Sequence, residues 1–174
     1  MGAVSTSEKN YLVASCACGS VEIHATGDPI VSVACYCDDC QEGSRQIEAL
    51  PGAASIRGAD GGTEYLAYRK DRIKCPKGAA FLQSRKIRQT SVTNRVVANC
   101  CNSAMYLNFD DGKCWVDIYR SRVKGNAPPV RMRICTKFLP AGRDIPKDVP
   151  SYAGYPVKFL AKLLAAWMAM LLQR

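Results

Sequence analysis

Apolar and polar positions in this 174-residue chain alternate in short runs of period two, and a helical period replaces them at only two places. Residues 11–26 read as a hairpin whose alternation turns Val21 and Ile23 inward and His24 outward, with Cys16-Ala17-Cys18-Gly19 at its tip. Glycine after the second cysteine permits the positive φ that folds such a tip back. Val31-Ser32-Val33-Ala34 reads as a strand delivering Cys35 and Cys37. Asp38 or Asp39 then suits a helix N-cap, with Gln41 or Glu42 three residues on, for a short helix to about Ala49. Cys40 falls in its first turn, where the helix dipole favours a thiolate. After Pro51-Gly52, a turn-rich stretch ends at Asp60-Gly61-Gly62. Short strands follow around Tyr65–Tyr68, Ala80–Leu82 and Arg95–Asn99, the last running into Cys100-Cys101, and again near Trp115–Tyr119 and Val130–Lys137. This spacing, without long helices, predicts one mainly β, antiparallel domain over residues 1–150.

The second helical stretch lies in residues 151–174. Leu160, Leu163, Leu164, Trp167, Met168, Leu171 and Leu172 recur at helical spacing after Pro156, while Lys158, Lys162, Ala165 and Ala169 share another face. Sixteen helical residues span roughly 24 Å, short of the ~30 Å hydrocarbon layer, so no transmembrane span is expected. Three uses of the apolar stripe stay open: docking on the chain's own β domain, pairing with a second copy as a homodimer, or contact with a membrane surface.

Composition narrows the setting. Ten cysteines is a high count, but the chain is too long for a disulfide-stapled mini-protein. The first nine residues lack the apolar core of a secretory signal, so a reducing, cytoplasmic environment is expected. His24 is the single histidine and faces outward, which argues against histidine-based hydrolase chemistry and against a histidine metal site. Residues 1–63 carry three basic and eight acidic side chains, a net of −5, whereas residues 64–174 carry twenty-one basic and seven acidic, a net of +14. The basic excess suits solvated strand faces, an anion-attracting surface near an active site, or nucleic-acid binding. The last is the weaker reading, because no stretch interleaves the few aromatics with basic residues.

Seven cysteines fall into tight clusters: Cys16 and Cys18; Cys35, Cys37 and Cys40; Cys100 and Cys101. Thiolates at such spacing on turns can converge on one ion, whereas a disulfide between close neighbours is strained. All-sulfur ligation favours Zn²⁺ over harder ions. Seven is four plus three, the numbers of a closed structural zinc and an open catalytic one. Cys75, Cys114 and Cys135 stand apart and read as ordinary buried thiols.

The succession Cys16-x-Cys18-Gly19-x-Val21, Cys35-x-Cys37-x-x-Cys40 and a late cluster at Cys100-Cys101-Asn102-Ser103 resembles the glutathione-dependent formaldehyde-activating enzyme family, which also includes centromere protein V. The likeness covers roughly residues 11–120. It implies an antiparallel zinc-binding β-tent with two Zn²⁺ sites: a structural one at Cys16, Cys18, Cys100 and Cys101, and a catalytic one at Cys35, Cys37 and Cys40. One departure concerns the late motif, usually C-x-x-C-G in the family. Here Ala98 stands where its first cysteine belongs, and an adjustment in a distorted turn lets Cys100 replace it.

The resemblance also implies carbon–sulfur lyase chemistry on glutathione or related thiol adducts. A three-thiolate zinc bears one net negative charge and accepts a fourth thiolate, since coordination deprotonates a thiol outright. Arg45, Lys86 and Arg95 are the candidates for a substrate carboxylate, and Asp38 and Asp39 serve either as helix caps or as a proton relay. A non-catalytic zinc β module binding nucleic acid or an acidic partner is the competing reading.

Overall fold

The computed structural model describes residues 11–173; the reading of the first nine residues lies outside them. Ten strands and two α-helices follow in order: β1 (Tyr11–Ser15), β2 (Glu22–Thr26), β3 (Val31–Cys35), α1 (Asp38–Glu48), β4 (Thr63–Arg69), β5 (Ile73–Lys77), β6 (Leu82–Arg85), β7 (Thr93–Ala98), β8 (Ser103–Phe109), β9 (Trp115–Tyr119), β10 (Met132–Ile134) and α2 (Val157–Leu172). Strands β1-β2-β5 make a small sheet, and β10-β3-β4-β9-β8-β7-β6 make a seven-stranded one. The fold is mainly β, as the alternation predicts. Every strand pair is antiparallel but one: β10 runs parallel to β3, with Ile134 opposite Cys35.

Alternation splits the large sheet into two cores. Leu66, Tyr68, Val116, Ile118 and Met105 pack toward the small sheet, against Ala14, Val21, Ile23 and Ala25. Tyr65, Ala67, Leu107, Tyr119, Val33 and Ile134 form the other core, which α1 closes with Ile47 and α2 with Phe159. His24 lies on the outer face of β2, bonded to Glu22 at 2.5 Å and stacked on Tyr11.

Several boundaries differ from the expectation. Cys37 is the N-cap of α1, without a side-chain cap bond, and Asp38 and Asp39 fall in the first turn. Residues 79–81 form a 3₁₀ turn before β6 starts at Leu82. Strand β10 is three residues long rather than eight. Pro128 and Pro129 precede it without donors for a ladder, and Cys135 ends it in the left-handed region at φ 58°. Strand β5 contains Pro76, a residue that reads as a breaker but is tolerated because β5 lies at a sheet edge.

The C-terminal stretch is helical as expected, but its buried side differs from the predicted stripe. Leu163 and Ala166 are buried and Phe159 packs on the core, while Leu160, Leu164, Trp167, Met168, Leu171 and Leu172 stay exposed. Among the described residues no helix is long and apolar enough to cross a membrane.

Candidate metal centres and their cavity

Two turns from different sheets meet at the first cysteine set. The β1–β2 tip carries Cys16 and Cys18, with Gly19 at φ 74° bonding back to the Cys16 carbonyl at 3.1 Å. The β7–β8 turn carries Cys100 and Cys101. Its Cys101 N–H returns to the Ala98 carbonyl at 3.3 Å, and Asn102 sits at φ 53°. Consecutive side chains in such a turn do not alternate as they do in a strand, which is how adjacent cysteines reach one point. Sulfur separations are 3.5 Å for Cys16–Cys18, 3.9 Å for Cys16–Cys100, 3.4 Å for Cys18–Cys100 and 3.9 Å for Cys100–Cys101. A tetrahedron with metal–sulfur bonds of about 2.3 Å has edges of about 3.8 Å, so the four sulfurs fit. Val21 N–H donates to Cys16 Sγ at 3.2 Å, and Ser103 Oγ bridges Cys101 Sγ and the Ala17 N–H. Bonds with Ser20 hold the Cys18 thiol down at about 6, while burial and the neighbouring sulfurs push Cys100 up to about 12.

The second set is built at one chain reversal. Cys35 closes β3, Cys37 caps α1, and Cys40 stands in the first helical turn. The three sulfurs lie within 4.8 Å of one another, near enough for one ion to draw them together. Hydrogen bonds from Cys35 and Cys40 bring the Cys37 thiol down to about 3, with Arg95 adding to the effect. Cys35 is raised by its bonds to Cys135 and to the other two sulfurs. Cys40 is drawn down by Cys35, but its bond to Cys37 and its burial outweigh that and raise it. One negative charge is thus already favoured at Cys37, beside the positive end of α1. Each set offers an array of soft thiolate donors, which suits the borderline-soft zinc ion.

The second set opens on a cavity. It measures about 340 Å³, lies between the large sheet and the two helices, and is walled by Leu107, Phe109, Trp115, Phe159 and Leu163. Tyr155 stands at its rim, 55% exposed. Of the three candidates for binding an anion, Arg95 alone lines this cavity. Arg45 pairs with Glu42 along α1, and Lys86 pairs with Asp110. Arg95 is 3% exposed; its Nη2 donates to the Asp39 carbonyl at 2.5 Å, and its Nε and Nη1 have no hydrogen-bond partner among the described residues. Asp39 borders the cavity as well.

Two groups escaped the sequence reading. Asp117 on β9 lines the cavity, and burial raises its carboxyl from 3.8 to about 7, with bonds from Trp115 and the charge of Lys113 pulling the other way. Its signal was available: alternation puts it on one face with Trp115 and Tyr119, and an acid on the inward face of a strand is unusual. Cys135, expected to be an isolated buried thiol, is buried but bonds to Cys35, because the parallel pairing of β10 brings it beside the end of β3. Cys114 is buried as expected, and Cys75 is half-buried.

The profile of the glutathione-dependent formaldehyde-activating enzyme family matches residues 11–123, well over half of the chain. The chain belongs to this family. Both cysteine sets fall inside the matched segment; Cys135, Tyr155 and α2 lie beyond it. A search of the curated proteins finds no match. Among solved structures, a protein of Rhodobacter sphaeroides is similar at 16% identity, covering 67% of this chain and 91% of its own, with a TM-score of 0.47.

Proposed function

We propose that this family member is a zinc-dependent carbon–sulfur lyase-like enzyme acting on glutathione or related thiol adducts. Cys16, Cys18, Cys100 and Cys101 hold a structural ion, and Cys35, Cys37 and Cys40 hold a second, catalytic one. The observation that carries the reading is the contrast between the sets: three sulfurs face a cavity of about 340 Å³, while four close upon themselves between two sheets. An ion at the three-cysteine set would supply a position at which a substrate thiol binds as its thiolate.

The remaining work falls to side chains. Leu107, Phe109, Trp115 and Phe159 exclude water from the bound adduct. In the condensing direction the substrate sulfur forms the carbon–sulfur bond, the carbonyl π pair moves to oxygen, and oxygen takes a proton. Asp117 suits that transfer: with its carboxyl held near 7, it accepts the thiol proton and returns it to the developing alkoxide, so the step neither gains nor loses a proton. The lyase direction reverses these moves.

The competing reading, a nucleic-acid-binding module, draws less support. Arg69, Lys86, Arg120 and Arg133, members of the basic runs, are each held in an ion pair. The test is turnover of formaldehyde against a thiol panel by wild type and Cys37→Ala. Turnover is expected in the wild type and lost in the variant, which keeps one ion and its fold. Intact turnover in the variant, or none in the wild type with any thiol, overturns the reading.

A further inference from the structure

We propose that Arg95 is the fixed counter-charge of the three-cysteine centre, a positioning residue that lets three thiolates hold a divalent ion in a buried site. The inference rests on the reading of Cys35, Cys37 and Cys40 as a metal set and goes beyond it by assigning the charge balance. A guanidinium stays protonated throughout the range in which proteins fold, and burying it unpaired is strongly unfavourable. Arg95 is nonetheless buried, and it forms none of the ion pairs found among the described residues. Its one hydrogen bond among the described residues goes to a neutral carbonyl, that of Asp39 between Cys37 and Cys40. Three thiolates around a divalent ion carry one net negative charge, and Arg95 beside them brings the one positive charge that cancels it.

Helix α1 is shaped to admit this side chain. Gly43 is buried in the middle of the helix, where glycine is a poor choice. A Cβ built there would lie 1.8 Å from Arg95 Nε and 2.3 Å from Cζ, so any larger residue displaces the guanidinium. The same helix supplies Cys40 from its first turn and the space for Arg95 one turn later. The four-cysteine set differs: Arg122 reaches Ser103 Oγ and Lys77 the Gly19 carbonyl at its edge, but Cys18 and Cys100 are exposed to water that screens its charge, so no buried counter-charge is needed.

The test is Co²⁺ affinity, measured by chelator competition and by the thiolate-to-cobalt absorption. A Cys37→Ser variant isolates the four-cysteine site as the internal reference. In Arg95→Met the three-cysteine site is expected to lose at least ten-fold in affinity while the reference site holds. Arg95→Lys, which keeps the charge, should stay within about three-fold of wild type. Gly43→Ala should weaken the same site as Arg95→Met does, although alanine is the better helix former. Unchanged affinity in Arg95→Met, an equal loss in Arg95→Lys, or equal losses at both sites each overturn the proposal. If the wild type takes up only one Co²⁺, the metal reading itself has failed, and Arg95 falls with it; with two ions bound, failure belongs to Arg95 alone.

Discussion

Replacing Asp117 by asparagine should change how stability depends on pH, and the size of the change follows from the site. In the folded chain its carboxyl titrates near 7, against 3.8 in its ordinary state, because burial on β9 disfavours the charged form. Between those values the folded protein keeps a proton that the unfolded chain has released, so stability falls as pH rises. Each tenfold gain in proton affinity on folding is worth about 1.4 kcal/mol, which bounds the loss at about 4 kcal/mol across the window. Asparagine cannot ionise and has nearly the same shape. The variant should therefore gain on the wild type by roughly 3 kcal/mol between pH of about 4.5 and about 7.5, less what the water of the open cavity recovers. The assay is urea denaturation of both zinc-loaded proteins at steps through this range. Loss of zinc at low pH affects both alike and cancels in the difference. Parallel curves, with a gap constant within about 0.5 kcal/mol, would refute the argument, since a carboxyl with an ordinary pKa predicts no slope.

Other sites give sharper yes-or-no outcomes. Cys100→Ser and Cys101→Ser should each cost one zinc by elemental analysis and lower Tm; a variant retaining both ions would show that its cysteine is not a ligand. Cys135→Ser should keep both ions, because its sulfur stands outside the group that lies within 4.8 Å, and a lost ion would make it a fourth ligand. Arg133, buried and bonded to Asp60 at 2.8 Å and to the Tyr36 hydroxyl at 2.7 Å, ties β10 to the loop before β4. Asp60→Ala should destabilise the protein by about 3 kcal/mol in urea denaturation, because it leaves that guanidinium without its most buried carboxylate; a cost under about 1 kcal/mol would show that Asp148 suffices.

Local chemistry was the legible part of this chain. Cysteine spacing named the three clusters, the family resemblance joined Cys16 and Cys18 to Cys100 and Cys101, and the Cys100-Cys101 pair was readable as a turn. The helix after Cys37, the C-terminal helix and the strands near Cys35 and Trp115 followed from periodicity alone. What escaped depends on partners far away in sequence. Alternation assigns Asp117 and Arg95 to a strand face but does not say that α1 and α2 cover it. The parallel pairing of β10, which carries Cys135 to Cys35, joins segments about a hundred residues apart and leaves no local mark. Gly43 reads as a defect in a helix until Arg95 is seen in the space it leaves.

The two cysteine sets differ most in when they can exist during synthesis. Cys35, Cys37 and Cys40 leave the ribosome together, so all three sulfurs are present in a nascent chain that has made only β1 to β3 and the first turn of α1. Cys18 and Cys100 lie 82 residues apart, and closing that loop costs on the order of 4 kcal/mol of chain entropy. An ion joining them would therefore act as a cross-link, taken up only once most of both sheets has been made. On the proposed reading, loading would follow the order of the chain: the three sulfurs are complete first, their Arg95 counter-charge follows with β7, and the clasp between the sheets closes last.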